Sequence, residues 1–224
     1  MSDETKKPKY RRNTRRNELI KAAVIVVLIG LVLRIFVFMP FRESSKDMEG
    51  TLMQGDFLLT SQLSYSTGKP QVGDLIVFQH PFKIDELTAG RVIALEGQTV
   101  EIIDKEVYVD DEHQPNPDRV RFTDHRIISQ DFANRDNIIP VQVPAGAVYV
   151  LCDNRDEGED SRRFGPITHD AIKGKGLFVY WSWKPDPNAP KMESPYITPA
   201  ISILFYNLFH FPSRIGWNRI GAGI

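Results

Sequence analysis

The chain has 224 residues, 42% hydrophobic and 25% charged, with a net charge of −1. That balance excludes a wholly disordered chain and a polytopic membrane protein, and it leaves enough apolar material for a core. A single cysteine, Cys152, excludes an intramolecular disulfide and a Cys-rich zinc site. The five histidines form no i,i+4 pair and no H-E-x-x-H, so no metal and no cofactor is expected.

The small net charge hides an asymmetry. Residues 1–21 carry eight Lys or Arg and three acids, which leaves the remainder acidic. A basic arm suits nucleic acid or the cytoplasmic side of a membrane, and the next segment decides between them. Residues 22–41 are apolar apart from Arg34. As a helix they would extend about 30 Å, enough to cross a bilayer. Arg34 lies near the far end, where its side chain can reach the interface. The expectation is a cytoplasmic tail over residues 1–19, one transmembrane helix over 20–41, and a domain over 42–224 outside the inner membrane. Nucleic acid is then not a partner. A cleavable signal peptide would need a small-x-small site after residue 33, and Arg34, Ile35, Phe36 and Val37 follow instead.

From residue 43 onward the text is β-like. Residues 57–63, 75–79, 91–94, 99–103, 106–109, 148–152 and 177–181 are short β-branched or aromatic runs. Gly68-Lys69-Pro70, Gly73-Asp74, Glu96-Gly97 and Asp104-Lys105 separate them as turns. The fold class expected is mainly β, an antiparallel sandwich or barrel carried by one N-terminal membrane helix. Residues 111–140 are polar, contain Pro115 and Pro117, and read as an inserted subdomain or hairpin. Residues 185–195 hold four prolines and read as an extended loop. The apolar run 197–211 contains Pro199, Asn207 and His210 and is short for a span. It reads either as an element on the core or as an interfacial one resting on a membrane.

The most unusual stretch is Asp153-Asn154-Arg155-Asp156-Glu157-Gly158-Glu159-Asp160-Ser161-Arg162-Arg163-Phe164-Gly165, directly after an apolar run. A charge run is usually a solvated loop. Here its order allows arginine–carboxylate pairing of the block's acids with Arg155 and Arg162, which would fix the loop.

This stretch resembles the last signature block of type I signal peptidases, Gly-Asp-Asn-Arg-Asp-Asn-Ser-x-Asp-Ser-Arg-x-(aromatic)-Gly. The resemblance extends along most of the chain. Ser45-Lys46-Asp47-Met48-Glu49-Gly50-Thr51-Leu52 is similar to Ser-x-Ser-Met-x-Pro-Thr-Leu, and Gly90-Arg91-Val92-Ile93-Ala94-Leu95-Glu96-Gly97 to Lys-Arg-Val-(x)3-Pro-Gly. Gly73-Asp74-Leu75-Ile76-Val77-Phe78 and Arg219-Ile220-Gly221 fit as well. The resemblance implies a membrane-anchored Ser–Lys protease that removes signal peptides from exported preproteins. In such a site a serine attacks the carbonyl and a neutral, buried lysine takes its proton.

The departures fall on the chemistry. The nucleophile position is Asp47, the general-base position is Gly90, and the position whose serine orients the lysine is Gly158. Cys152 stands for the glycine opening the last block and Gly50 for the proline after the nucleophile. Ser45, whose hydroxyl would help bind the oxyanion, is retained, as are the supporting Met48, Arg91, Asp153, Asn154, Arg155, Asp156, Asp160, Ser161 and Arg162. A carboxylate is a poor acyl nucleophile and repels a developing oxyanion. Two like charges about 4 Å apart at an effective dielectric of about 20 cost roughly 4 kcal/mol. An aspartic dyad of Asp47 with Asp153 or Asp160 would need a shared proton. Ser45 and Lys46, as strand neighbours, point to opposite faces. Cys152 at a strand end suits a small buried residue. The sequence therefore predicts a signal peptidase-like protein without peptidase activity. Its expected partners are the lipid bilayer and signal peptides or preproteins, with an active signal peptidase or the export machinery also in view. The alternative is an active endopeptidase of altered chemistry.

Overall fold

The structure is a computed structural model that describes residues 10–65, 68–191 and 197–224, with the side chains of 10–14, 33–36, 197 and 198 outside the description. The chain divides into two units, residues 1–38 and residues 39–224.

The first unit holds helix α1, Tyr10–Phe36. Its described apolar side chains run through Val32 and are exposed all round, from 51% at Val24 to 68% at Val27. Among the described residues no helix is long and apolar enough to cross a membrane. Part of the span expected over 20–41 lies outside the described side chains. Its last residues are not helical, because strand β1, Phe38–Arg42, already begins there. Pro40 explains the stop: it offers no N–H to a helix and disfavours helical backbone at Met39.

The second unit is built on two antiparallel sheets. The larger has the order β1-β2-β11-β3-β4-β9-β10, formed by β1, β2 (Asp56–Ser61), β11 (Ile172–Ser182), β3 (Leu75–Gln79), β4 (Leu87–Ala94), β9 (Ala147–Leu151) and β10 (Ile167–Thr168). The smaller has the order β7-β6-β5-β8, formed by β7 (Glu112–Gln114), β6 (Glu106–Val109), β5 (Thr99–Ile103) and β8 (Ile138–Gln142). The mainly β, antiparallel architecture is the one expected. Sequence sets the exposure of each strand. The continuous apolar text of β3 and β9 belongs to strands buried on both faces, whereas β2 alternates buried and half-buried. Asp104 and Lys105 both adopt positive φ, 50° and 75°, closing the β5–β6 hairpin in the way the strand twist favours.

Three apolar clusters result. Val100, Ile102, Val107 and Val109 of the small sheet pack with Tyr149 and Leu151 of β9. Ile76, Phe78, Val92, Val150 and Ile167 form a second cluster. Phe41, Met48, Leu52, Leu58, Val77, Ala89, Cys152 and Val179 form the third, which carries the segment around Asp47. A short helix α2, Ser161–Phe164, follows the charged block, and helix α3, Ile197–Arg214, takes up the second apolar run.

Candidate active site

The charged block is a frame. Arg91 of β4 grips Asp153 with two bonds, Nε to Oδ1 at 2.9 Å and Nη2 to Oδ2 at 2.7 Å, and its Nη1 donates to the Gly73 carbonyl at 2.9 Å. Thr51 Oγ1 donates to the same Asp153 carboxylate and accepts from Arg91 Nη2 at 3.2 Å. Asp153, Asn154 and Arg155 are all buried. The segment around Asp47 is pinned from below through its main chain. Asn154 donates its backbone N–H to the Asp47 carbonyl and its side-chain amide to the Lys46 carbonyl, both at 3.0 Å. The Asp153 N–H meets Met48 Sδ at 3.5 Å.

Asp160 fixes the far end of the block. It caps α2 by accepting from the Arg162 N–H at 3.1 Å, holds the Arg162 guanidinium at 2.9 and 2.7 Å, and accepts from the Cys152 N–H at 2.9 Å. Ser161 Oγ accepts from the Val150 N–H at 3.0 Å, tying α2 to β9. Asp156 binds Lys105 at 2.7 Å and the Asp124 N–H at 2.7 Å, so residues 121–137 close over the block.

One pairing differs from the sequence expectation. Asp160 pairs with Arg162 as expected, but the partner of Asp153 is Arg91, not Arg155. Arg91 is 62 positions away in sequence, and only the alignment of β4 beside β9 brings it there. Arg155 is 3% exposed and its Nε has no partner; burial, with Arg162 beside it, draws its pKa down to about 10. The proposed sharing of a proton between Asp47 and Asp153 or Asp160 has no geometric support. Both carboxylates are occupied by a guanidinium and further donors.

At the nucleophile position the Asp47 side chain is half-buried. Burial raises its pKa, the Ser45 hydroxyl opposes the rise, and Glu159 and Asp160 add to it while Lys83 subtracts. Ser45 Oγ accepts from the Asp47 N–H at 3.1 Å and donates to Glu43 Oε1 at 2.7 Å; the Ser45 N–H reaches the same oxygen at 2.8 Å. The two donors nearest position 47 are thus turned into a local loop bond. Glu43 was not among the candidates from sequence. It is 3% exposed, and burial lifts its pKa against the pull of Ser45. The signal was available: Glu43 follows Phe41 at strand spacing, and Phe41 faces the core.

Gly90 and Gly158, the positions expected for the base and its orienting group, carry no side chain. A Cβ at Gly90 would meet Phe78 Cε1 and Val150 Cβ at 3.3 Å, so the space is apolar and tight. A Cβ at Gly158 would meet Cys152 Cβ at 2.3 Å, Cys152 Sγ at 2.9 Å and the Asn154 carbonyl at 2.9 Å. The Cys152 side chain therefore fills the room that a serine at 158 would need. Its thiol is buried and its pKa is pushed well up by burial, with Asp160 and Asp47 adding to the effect, which makes it a filler and not a nucleophile. Gly50 has φ +119°, which neither proline nor any other L residue adopts comfortably, and a Cβ there would strike the Arg119 carbonyl at 2.1 Å. Among the described residues no group of His, Cys, Asp and Glu could hold a metal ion.

This frame, with its segment around position 47, has known counterparts. Residues 16–181 match the family described as signal peptidase, peptidase S26, and the chain belongs to that family. A probable signal peptidase I-1 from Synechocystis sp. (strain ATCC 27184 / PCC 6803 / Kazusa) is 34% identical over 171 residues, 73% of this chain and 82% of that protein. The signal peptidase I of Aquifex aeolicus (strain VF5) is 27% identical, covering 90% of this chain and 97% of the relative. That of Bacillus caldolyticus is 34% identical, covering 71% and 88%. A solved signal peptidase I from Enterococcus faecalis V583 aligns at 28% identity with a TM-score of 0.38, over 48% of this chain and 97% of that one.

Proposed function

We propose that this chain is a signal peptidase I-like protein of the export system that lacks peptidase activity and holds signal peptides at the membrane surface. The observation that carries the reading is the state of the reaction centre. Position 47 presents a carboxylate, and position 90 has no side chain, with Phe78 and Val150 crowding its Cβ direction at 3.3 Å. The nearby hydroxyl and N–H are bonded to each other and to Glu43. In this reading the apolar part of α1, up to Phe36, anchors the chain once in the inner membrane, the basic tail stays in the cytoplasm, and the domain from strand β1 onward faces outward. The preproteins on which named signal peptidases act become ligands, and an active signal peptidase or the export machinery becomes a docking partner.

Peptide binding has a structural basis. Strand β1 is the edge of the seven-stranded sheet, with β2 as its sheet neighbour, so its outer edge can accept an extended peptide. The segment over residues 43–52 offers less of an edge, because the carbonyls of Lys46 and Asp47 are occupied by Asn154. Full-length chain in liposomes, mixed with a preprotein, should give no cleavage above a buffer control. It should bind a labelled signal peptide weakly, and Asp47→Ala should strengthen the binding by removing a carboxylate that resists burial beside apolar peptide. Absence of binding to either protein at millimolar peptide, where an active relative does bind, would sink the peptide-binding part. The second reading is a peptidase of altered chemistry. It draws on the 2.7 Å bond from the Ser45 hydroxyl to the buried Glu43, an acid–hydroxyl pair at the site. Cleavage after a small residue that Ser45→Ala abolishes and Asp47→Ala spares would establish it.

A further inference from the structure

Helix α3 is docked with its polar side inward. Tyr206 OH donates to Asp186 at 2.6 Å, Arg214 donates to Asn207 Oδ1 at 2.5 Å, and the Arg214 guanidinium lies 4.7 Å from the centre of the Trp183 ring. Phe211 packs on Trp181 and Trp183. The Lys184 N–H bonds the Arg214 carbonyl at 2.8 Å, so the C-terminal end is fixed to the continuation of β11. The side turned away carries Ile201, Leu204, Phe205, Leu208 and Phe209, at i, i+3, i+4, i+7 and i+8. These residues are 50%, 66%, 54%, 66% and 77% exposed. A surface helix normally arranges the two sides the other way round. The stripe is a contiguous apolar patch with no protein on it, not a scatter of single exposed residues.

We propose that α3 lies flat on the bilayer, with the Ile201–Leu204–Phe205–Leu208–Phe209 stripe seated at the boundary between headgroups and acyl chains. The inference rests on the membrane-anchored reading given above and adds a second, independent point of contact. Lipid is favoured over another protein on three grounds. The same chain already exposes an apolar surface that no protein covers, the all-round apolar face of α1 from Val24 to Val32. Residues 197–213 contain no charged side chain, and the first charge beyond them is the cation Arg214, so nothing on the helix repels anionic headgroups. Phe205, Phe209 and the 63% exposed Trp217 are the ring types that settle at a membrane interface. With 18 residues α3 is about 27 Å long, and its polar side is committed to Asp186 and Trp183, so it lies along the surface instead of crossing it.

The helix ends beside the site. Trp183 bonds Gly55 through its N–H, and Gly55 bonds the Glu43 carbonyl, so α3 is joined through two strand ends to the segment that carries Asp47. A bilayer-seated α3 would hold that segment at the level where an apolar signal peptide leaves the lipid.

The test uses the full chain reconstituted in vesicles, with an environment-sensitive dye on a single introduced cysteine; Cys152 is buried and unreactive. Leu208→Cys and Phe209→Cys report on the stripe, and Glu112→Cys on the small sheet serves as the water-exposed control. With bromine-labelled lipid, the dyes at 208 and 209 should lose most of their emission and shift to the blue, while the dye at 112 stays unchanged. A chain that floats with the vesicles but whose dyes at 208 and 209 remain unquenched would overturn the inference and leave the anchoring reading intact. Concentration-dependent self-quenching at 208 without lipid quenching would overturn it in favour of a second copy of the chain. A chain that does not float refutes the anchoring reading itself. Leu204→Asp with Leu208→Asp should abolish quenching at 209 without altering the melting temperature in detergent, since neither side chain is packed on protein.

Discussion

Two of the departures from the family pattern are coupled, which makes a quantitative prediction possible. Position 158 has no room for a side chain because the Cys152 side chain occupies it, with Cβ contacts of 2.3 and 2.9 Å to Cys152 Cβ and Sγ. Gly158→Ala in the otherwise unchanged chain should therefore cost about 1–3 kcal/mol through overpacking. Cys152→Gly removes a fully buried side chain and should cost about 2 kcal/mol through lost burial and a small cavity. In the double variant the new methyl enters the vacated space, so the two costs should cancel in part, with a coupling of about 1–2 kcal/mol. A residual penalty should persist, because the Asn154 carbonyl at 2.9 Å is untouched by the second change. At this chain length each kcal/mol corresponds to about 2–4 °C in Tm. Thermal melts of the four proteins of the cycle in detergent give the coupling directly. Costs that simply add would refute the reasoning, and the two departures would then be unrelated events.

Asp47→Asn should raise stability at neutral pH. Burial holds the Asp47 pKa above its ordinary 3.8, so the folded state favours the neutral acid; the advantage of the carboxyl is complete below pH 3.8 and is lost as pH rises through the elevated folded value. The Tm difference between the two proteins should accordingly be largest near pH 7 and vanish below about pH 4; a pH-independent difference would point to a packing effect. Arg91→Met leaves Asp153, fully buried, without its guanidinium and should destabilise by about 3–5 kcal/mol, measured by denaturant titration. Gly50→Ala should cost about 2–3 kcal/mol, since it forces a side chain to φ +119° and into the Arg119 carbonyl; a neutral result would mean the loop relocates freely.

Most of the β framework was legible because strand text and turn text alternate from residue 56 onward. β2, β3, β5, β6 and β9 lie within a residue or two of the expected runs. β1 was hidden inside an apolar run that read as membrane helix, and only Pro40 argued for an earlier stop. β7 escaped because it is short and polar, β10 because it is only two residues long, and β8 because Pro140 interrupts its apolar text; their strand character comes from the neighbours they pair with. The run 197–211 had no single reading because its periodicity is helical while its apolar side faces nothing in the protein. At the site, each departure was visible on its own. What no local pattern could give was the contact between Gly158 and Cys152, or the grip of Arg91 on Asp153 across the sheet.

The frame and the chemistry are physically separate in this molecule. Every bond that places the segment around position 47 runs to its main chain or to residues beside it: Asn154 to the carbonyls of Lys46 and Asp47, Asp153 to Met48, Thr51 and Arg91. None of them uses the side chain at 47 or at 90. A nucleophile and a buried base can therefore be lost with the scaffold intact, and losing a buried lysine also removes the desolvation that such a group carries. On the proposed reading, returning the chemistry is harder than losing it. Lysine at 90 must push Phe78 and Val150 slightly aside, and a serine able to orient it at 158 must first evict the Cys152 side chain. Asp47→Ser with Gly90→Lys thus restores two groups into a site still closed by the coupled pair. The informative comparison adds Gly158→Ser together with Cys152→Gly, because only that combination gives the serine room to stand beside the lysine.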